Sequence, residues 1–256
     1  MAERIRAPEG IRSRLARRWV AGLPAVPAGP VRWTAADAVT VVLGTQLLSL
    51  LWAGGGVALA YGSGGGPDPL PVEALFLLNI GLWVGYGLGP VLVVSRKGTS
   101  LRSDLGARLA RFDVPAGLMA GVAAQAALMP ALYWPIRRLI DGDPSASARD
   151  LVGSAQGPFQ VLVLVVATAV LAPLTEELFY RGLFLRGLQR RFGPVAAAVV
   201  SSAVFAAVHL DALAAPGLFV FGLLSAALAL ATGRLGPSWA FHVGFNLTTL
   251  VMLGLF

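Results

Sequence analysis

Between Phe159 and Leu174 the chain carries no charged residue, and within the next seven positions it carries three: Glu176, Glu177 and Arg181. Apolar sequence continues on the far side with Leu183-Phe184-Leu185. A run of this kind is accommodated away from water only as a helix, which satisfies its own backbone N–H and C=O groups. An ionisable side chain inside such a helix costs about 2.5–3.5 kcal/mol on insertion scales, so it is normally retained for function. Whatever fold the chain adopts must bring polar partners to residues 176–181.

The rest of the sequence supplies more runs of the same type. Of 256 residues 56% are hydrophobic and 13% charged, against about 25% charged in soluble domains. Too little polar surface remains to cover a water-facing molecule, so the expected fold is an all-α, polytopic membrane helix bundle. Apolar segments at 35–60, 72–95, 114–136, from 159, from 194, 216–232 and 237–256 predict about seven transmembrane helices. With the N-terminus cytoplasmic, the inner segments hold 17 of the 20 Lys and Arg and the outer ones 3, which sets an N-in, C-out orientation.

The net charge of +7 is thus spread along the ends of spans. That pattern fits contact with anionic membrane lipids and not nucleic acid, which would need a continuous basic patch. There is no cysteine, which excludes disulfides, thiolate metal sites and a cysteine nucleophile. The first apolar run begins near residue 35 and is too long for a signal-peptide core, so no cleavable signal is expected. Gly81, Gly85 and Gly89 recur at four-residue spacing and predict a helix-packing face. The glycine-rich stretch 62–67 lacks the Gly-Lys-Ser/Thr of a phosphate loop and reads as a connector.

Three regions follow from these boundaries. Residues 1–33 form a basic cytoplasmic tail, in which 10–23 read either as an interfacial helix or as a tail held by charge. Residues 34–154 form accessory helices 1–3. Residues 155–256 hold helices 4–7 and all the residues of chemical interest.

Those residues include the chain's only two histidines. His209 ends Phe205-Ala206-Ala207-Val208-His209, and His242 opens His242-Val243-Gly244-Phe245-Asn246. Positions i and i+4 share a helix face, so Phe205 is expected beside His209, and His242 and Asn246 on one face. Glu177 and Arg181 have the same spacing, and an internal pair between them leaves Glu176 free. Pro173 deprives the Ala169 carbonyl of its helical partner and kinks the helix just before the carboxylates. Counting from the Gly193 turn puts Glu176 and His209 level, whereas His242, five residues past Pro237, is expected nearer the inner surface. A water-filled cavity opening toward the cytoplasmic side is expected, with the chain bending at 211–216.

Glu-Glu-x-x-x-Arg, then Phe-x-x-x-His, then His-x-x-x-Asn, each in an apolar helix, resembles the CPBP intramembrane proteases, which include the type II CAAX prenyl endopeptidases and bacterial Abi-type proteins. The resemblance covers about residues 155–256. It implies a peptidase in which Glu176 is the general base, His209 helps hold the attacking water, and His242 and Asn246 donate hydrogen bonds to the oxyanion. Glu177 and Arg181 would shape and neutralise the site. The residue types suit amide hydrolysis, which needs a base for water and donors aimed at developing negative charge. A carboxylate taken out of water is also a stronger base than one in it.

Two histidines and a glutamate also match a zinc hydrolase, and the family has been described as a metalloprotease; a metal-dependent version would use His209, His242 and Glu176. The absence of His-Glu-x-x-His and the nearness of Arg181 favour catalysis without metal or other cofactor. Ser238 lacks the following glycine of a rhomboid-like site, and no two aspartates lie at depth in separate spans. The other functional classes are a non-catalytic immunity or scaffold protein and a proton-coupled transporter, the latter disfavoured because no internal repeat is visible. The expected partners are lipids and a peptide or membrane-protein substrate; oligomeric state is open. One lysine against 19 arginines suggests GC-rich coding and a bacterial cell membrane, where processing of a bacteriocin or signal peptide fits better than a prenylated substrate.

Overall fold

The computed structural model describes residues 31–62 and 70–255. The expectation for 10–23 and most of the glycine-rich connector lie outside the described residues. The described chain is all-helical, 81% helix, with no strand. Helices α1 (Ala35–Tyr61) and α2 (Val72–Lys97) form a hairpin. A single turn α3 (Leu101–Asp104) leads to α4 (Asp113–Ile136), and α5 (Ala146–Gly153) precedes the longest helical stretch, Gly157–Ala207. That stretch divides into α6 (157–192) and α7 (194–207) at Gly193, whose φ of 77° and ψ of 172° are not helical. Helices α8 (Ala215–Thr232) and α9 (Gly236–Met252) complete the bundle. Five helices are long and apolar enough to cross a membrane, with Gly157–Ala207 counted as one; the chain is a multi-pass membrane protein.

Prolines at the first turns of α6, α8 and α9 start these helices where an N–H has no partner anyway. Glycine makes the close contacts between them. A Cβ on Gly85 would lie 2.5 Å from Thr45 Oγ1, and one on Gly81 would lie 3.0 Å from Trp52 Cβ, so the α2 glycine face packs against α1 as expected. The tightest approach is between α4 and α9. A Cβ on Gly117 would meet Ala240 Cβ at 2.6 Å, and one on Gly244 would meet the Leu118 carbonyl oxygen at 2.5 Å. Such contacts supply dispersion energy where lipid removes the hydrophobic drive for helix association.

The bundle has two chemically different ends. At one, Trp33 Nε1 donates to the Leu183 carbonyl (3.1 Å), Arg190 Nη1 to that of Val31 (2.8 Å) and Arg186 Nη2 to that of Gly233 (3.0 Å). Arg234 grips Asp113 there through Nε (3.0 Å) and Nη2 (2.7 Å). At the other, Ser147 Oγ donates to Asp211 (2.8 Å), Tyr133 OH to the Ala214 carbonyl (3.0 Å) and Gln160 Nε2 to Glu73 (2.8 Å).

The α6–α7 connection is a single residue, and one expectation beyond it needs correction. Residues 186–192 continue α6 as helix, with Arg186 buried, because its guanidinium is absorbed by the Gly233 carbonyl; only Gly193 forms the turn. His209 is not inside a helix: α7 stops at Ala207, and His209 lies in the turn that follows, where Leu210 takes a φ of 54°.

Candidate active site

Helix α6 carries the carboxylates on a short α-helical segment, Ala172–Glu177, between two π-helical segments, Val166–Leu171 and Leu178–Phe184. Neither π segment is marked in the sequence except through Pro173. The Ala172 N–H donates to the Ala167 carbonyl, five residues back, and Pro173 has no N–H to give. The sequence reading assigned the lost partner to Ala169; the shifted ladder deprives the Thr168 carbonyl as well. Asn246 Nδ2, from α9, donates to that carbonyl at 2.7 Å. The kink and the last motif residue are therefore one construction.

Glu177 is 1% exposed and has three partners. Ser225 Oγ of α8 donates to its Oε2 at 2.8 Å, while Oε1 lies 3.2 Å from His242 Nδ1 and 3.5 Å from Arg181 Nη1. The Arg181 pair is the i, i+4 contact expected from the sequence. Arg181 is itself 1% exposed, its guanidinium carbon 4.8 Å from the Phe205 ring centroid and 5.8 Å from that of Tyr180. Aromatic faces and one carboxylate thus stand in for water around a charge that could not otherwise be buried.

His242 joins both carboxylates. Because an ionised carboxylate only accepts, Nδ1 donates to Glu177, and Nε2 is turned to within 3.9 Å of Glu176 Oε2. His209 is oriented in the same manner: its Nδ1 is 2.7 Å from the Phe205 carbonyl, which fixes the proton there and leaves the Nε2 lone pair free. The Phe205 and His209 rings lie 4.7 Å apart, as their spacing implied. Glu176, His209, His242 and Asn246 line one cavity of about 190 Å³, with Phe205 and Phe221 among its walls.

All six residues singled out in the sequence thus converge on one site, but the depth reckoning for His242 was wrong. It measured both hairpins from a common plane. The turn before α9 sits beside Gly182, where a Cβ would lie 3.4 Å from Leu235 Cδ1, and the α6–α7 turn projects well past it. His242 is six residues beyond Gly236 and Glu176 six before Gly182, so the two are level. The cavity continues through Leu218, Phe245 and Asn246 into a groove of about 720 Å³ whose rim includes Arg137, Ser145 and Ala148. It opens at the end opposite the Lys/Arg-rich segments, because residues 179–188 form an unbroken buried run toward that basic end.

Sequence reasoning missed Ser225 and the Thr168 carbonyl. Ser225 had a signal, a lone hydroxyl in the apolar run 218–231. The second depends on a π segment that no local pattern announced. Among the described residues, no three of His, Cys, Asp and Glu are grouped closely enough to hold a metal.

Residues 158–248, from the start of α6 to near the end of α9, match the family model described as type II CAAX prenyl endopeptidase Rce1-like. No curated protein matches the chain, and no solved structure does. The matched segment contains Glu176, Glu177, Arg181, His209, His242 and Asn246 in the order of the three motifs. Over residues 158–248, this multi-pass membrane protein is therefore similar to the Rce1-like type II CAAX prenyl endopeptidase family.

Proposed function

We propose that the protein is an intramembrane endopeptidase that hydrolyses a peptide bond with a water activated by Glu176. The observation that carries this reading is the Glu177–His242–Glu176 contact, in which one carboxylate orients a ring whose other nitrogen faces the second carboxylate at 3.9 Å. Glu176 takes a proton from water as the water oxygen attacks the carbonyl carbon. His209, with its Nε2 lone pair free, accepts the second O–H of that water and aligns it. The oxyanion receives Nε2–H of His242 and the amide N–H of Asn246 that Thr168 does not use. For His242 to donate from both nitrogens the ring carries both protons and is paired with Glu177. Collapse of the tetrahedral intermediate breaks the C–N bond, and the proton on Glu176 passes to the leaving amine. Each oxyanion donor is typically worth about 10²–10³ in rate.

A zinc route fits less well. His242 Nδ1 is committed to Glu177, Arg181 lies beside that carboxylate, and the described residues hold no three-ligand cluster. No step is therefore routed through a metal, and chelator is expected to leave activity unchanged. In the same reading α1, α2, α4, α6, α7, α8 and α9 are seven spans with the N-terminus cytoplasmic. Residues 155–256 are the catalytic core, 34–154 the accessory helices and 1–33 a cytoplasmic tail. The partners are membrane lipids and a peptide or membrane-protein substrate, and nucleic acid has no place in it.

The second reading, a non-catalytic immunity or scaffold protein, draws on the same contacts, since Glu177 and Arg181 also brace three helices. Comparing the membrane and secreted peptides of cells carrying the wild type, Glu176→Gln or His209→Ala separates them. Specific cleavage products vanish in both variants if the site is a peptidase. Full retention of the cellular phenotype by both, with the proteins present at normal level, establishes the scaffold reading instead.

A further inference from the structure

The two ends of the bundle differ in charge as well as in access to the site. Among the described residues the closed end carries ten Lys and Arg, at 32, 96, 97, 102, 108, 111, 186, 190, 191 and 234. It also carries Asp37, Asp104 and Asp113, whereas the open end carries three basic residues, Arg137, Arg138 and Arg149, together with Glu73, Asp141, Asp143, Asp150 and Asp211. Lys and Arg accumulate on the cytoplasmic side of membrane proteins because basic segments are retained there. Toward the basic end the carboxylates are walled off by the buried run 179–188 and by buried Leu235, Gly236, Pro237, Ser238 and Phe241. Toward the other end the groove leads from Asn246 to the rim at Arg137, Ser145 and Ala148.

The groove also carries an unmet hydrogen-bonding group. Gln125 lies in a π-helical segment of α4, Ala124–Leu128, and its Oε1 is buried without a partner. A buried acceptor left unsatisfied is costly, and the backbone N–H of an extended peptide in the groove would satisfy it. The walls beside it are apolar and aromatic, Met129, Trp134, Leu218 and Phe245 among them.

We infer that the catalytic groups are reached from the extracytoplasmic side. The substrate, on the peptidase reading above, is an apolar polypeptide segment at the outer face of the membrane, not a peptide end presented by the cytoplasm. The groove receives the chain on either side of the scissile bond, and Gln125 fixes its backbone.

The chain has no cysteine of its own, so single-cysteine labelling reads this directly. Ala148→Cys places a thiol at the groove rim, and Ala107→Cys places one on the exposed α3–α4 segment at the basic end. A membrane-impermeant maleimide added to intact cells should label Ala148→Cys, and label Ala107→Cys only after the membrane is opened. The reverse pattern overturns the inference. Labelled Ala148→Cys should also lose at least tenfold in cleavage relative to the same variant before labelling, whereas labelled Ala107→Cys keeps its rate. Labelling from outside with cleavage unchanged overturns the groove as the substrate route. If the labelling is as expected but no variant nor the wild type cleaves any peptide, the peptidase reading fails and the extracytoplasmic access stands.

Discussion

Ser225→Ala removes one atom from the centre of the site and leaves all six motif residues in place. Ser225 is fully buried, and its hydroxyl donates to Glu177 Oε2 at 2.8 Å. Glu177 is held otherwise by His242 Nδ1 at 3.2 Å and Arg181 Nη1 at 3.5 Å, both on Oε1. Truncation therefore strips Oε2 of the only side-chain donor found for it among the described residues. A hydrogen bond to a charged group contributes about 1.5–3 kcal/mol, and a buried acceptor left unpaired forfeits its hydration without return. The expected loss of folding stability is about 2 kcal/mol, roughly a thirtyfold change in the folded-to-unfolded ratio at 1.4 kcal/mol per tenfold.

The carboxylate is also freed to rotate, so the His242 ring loses its fixed orientation and turnover should fall more than substrate affinity. Ser202→Ala is the matched control. It too is buried and intramembrane, but its hydroxyl bonds only the carbonyl one turn back, Ala198, at 2.7 Å, so little is lost with it. The assay is thermal unfolding in detergent beside peptide cleavage for both variants. Ser225→Ala as stable and as active as Ser202→Ala would refute the assignment of Ser225 as the residue that positions Glu177.

Two further outcomes follow from packing and from charge. Gly121→Ala should destabilise by about 1–3 kcal/mol, because the added methyl meets the Phe241 carbonyl oxygen and lies 2.6 Å from the Phe245 nitrogen. Gly153→Ala, with nothing within 4 Å, should change little; equal unfolding midpoints for the two would refute the close α4–α9 contact. The Asp211 carboxyl is held below the usual carboxylate range, first by the Ala214 N–H and then by the Ser147 hydroxyl. With the folded value the lower one, its contribution is present above about pH 4 and is lost as pH falls through that folded value. Asp211→Ala should therefore lower the unfolding midpoint at pH 7, and by less at pH 3, where the carboxyl is partly protonated. A difference unchanged between those pH values would show that the carboxylate does not tie down the turn bearing His209.

The residues of the site were legible because a membrane makes polar groups conspicuous. Glu176, Glu177, Arg181, His209, His242 and Asn246 stand out against apolar runs, and the i, i+4 rule correctly paired Glu177 with Arg181 and Phe205 with His209. The glycine face of α2 was legible for the same reason, since spacing along a helix is a local property. Ser225 was visible but unremarked, as one hydroxyl in an apolar helix has many bland explanations. The π segments of α6 and α4 left no pattern, because their hydrogen-bond shift is decided by what packs against the helix. Proline at 173 opened the ladder, but Asn246 on another helix determined which carbonyl was capped.

By itself, then, the sequence determined an all-helical membrane protein, a Lys/Arg-rich end and a short set of polar groups of the types that amide hydrolysis uses. These follow from transfer energies and helical periodicity, which act within a single segment. Only the tertiary structure decided that His242 lies level with Glu176, that Glu177 orients it, and that the site opens away from the basic end. Those depend on how far one hairpin turn projects past another, a relation between segments that neither one encodes alone.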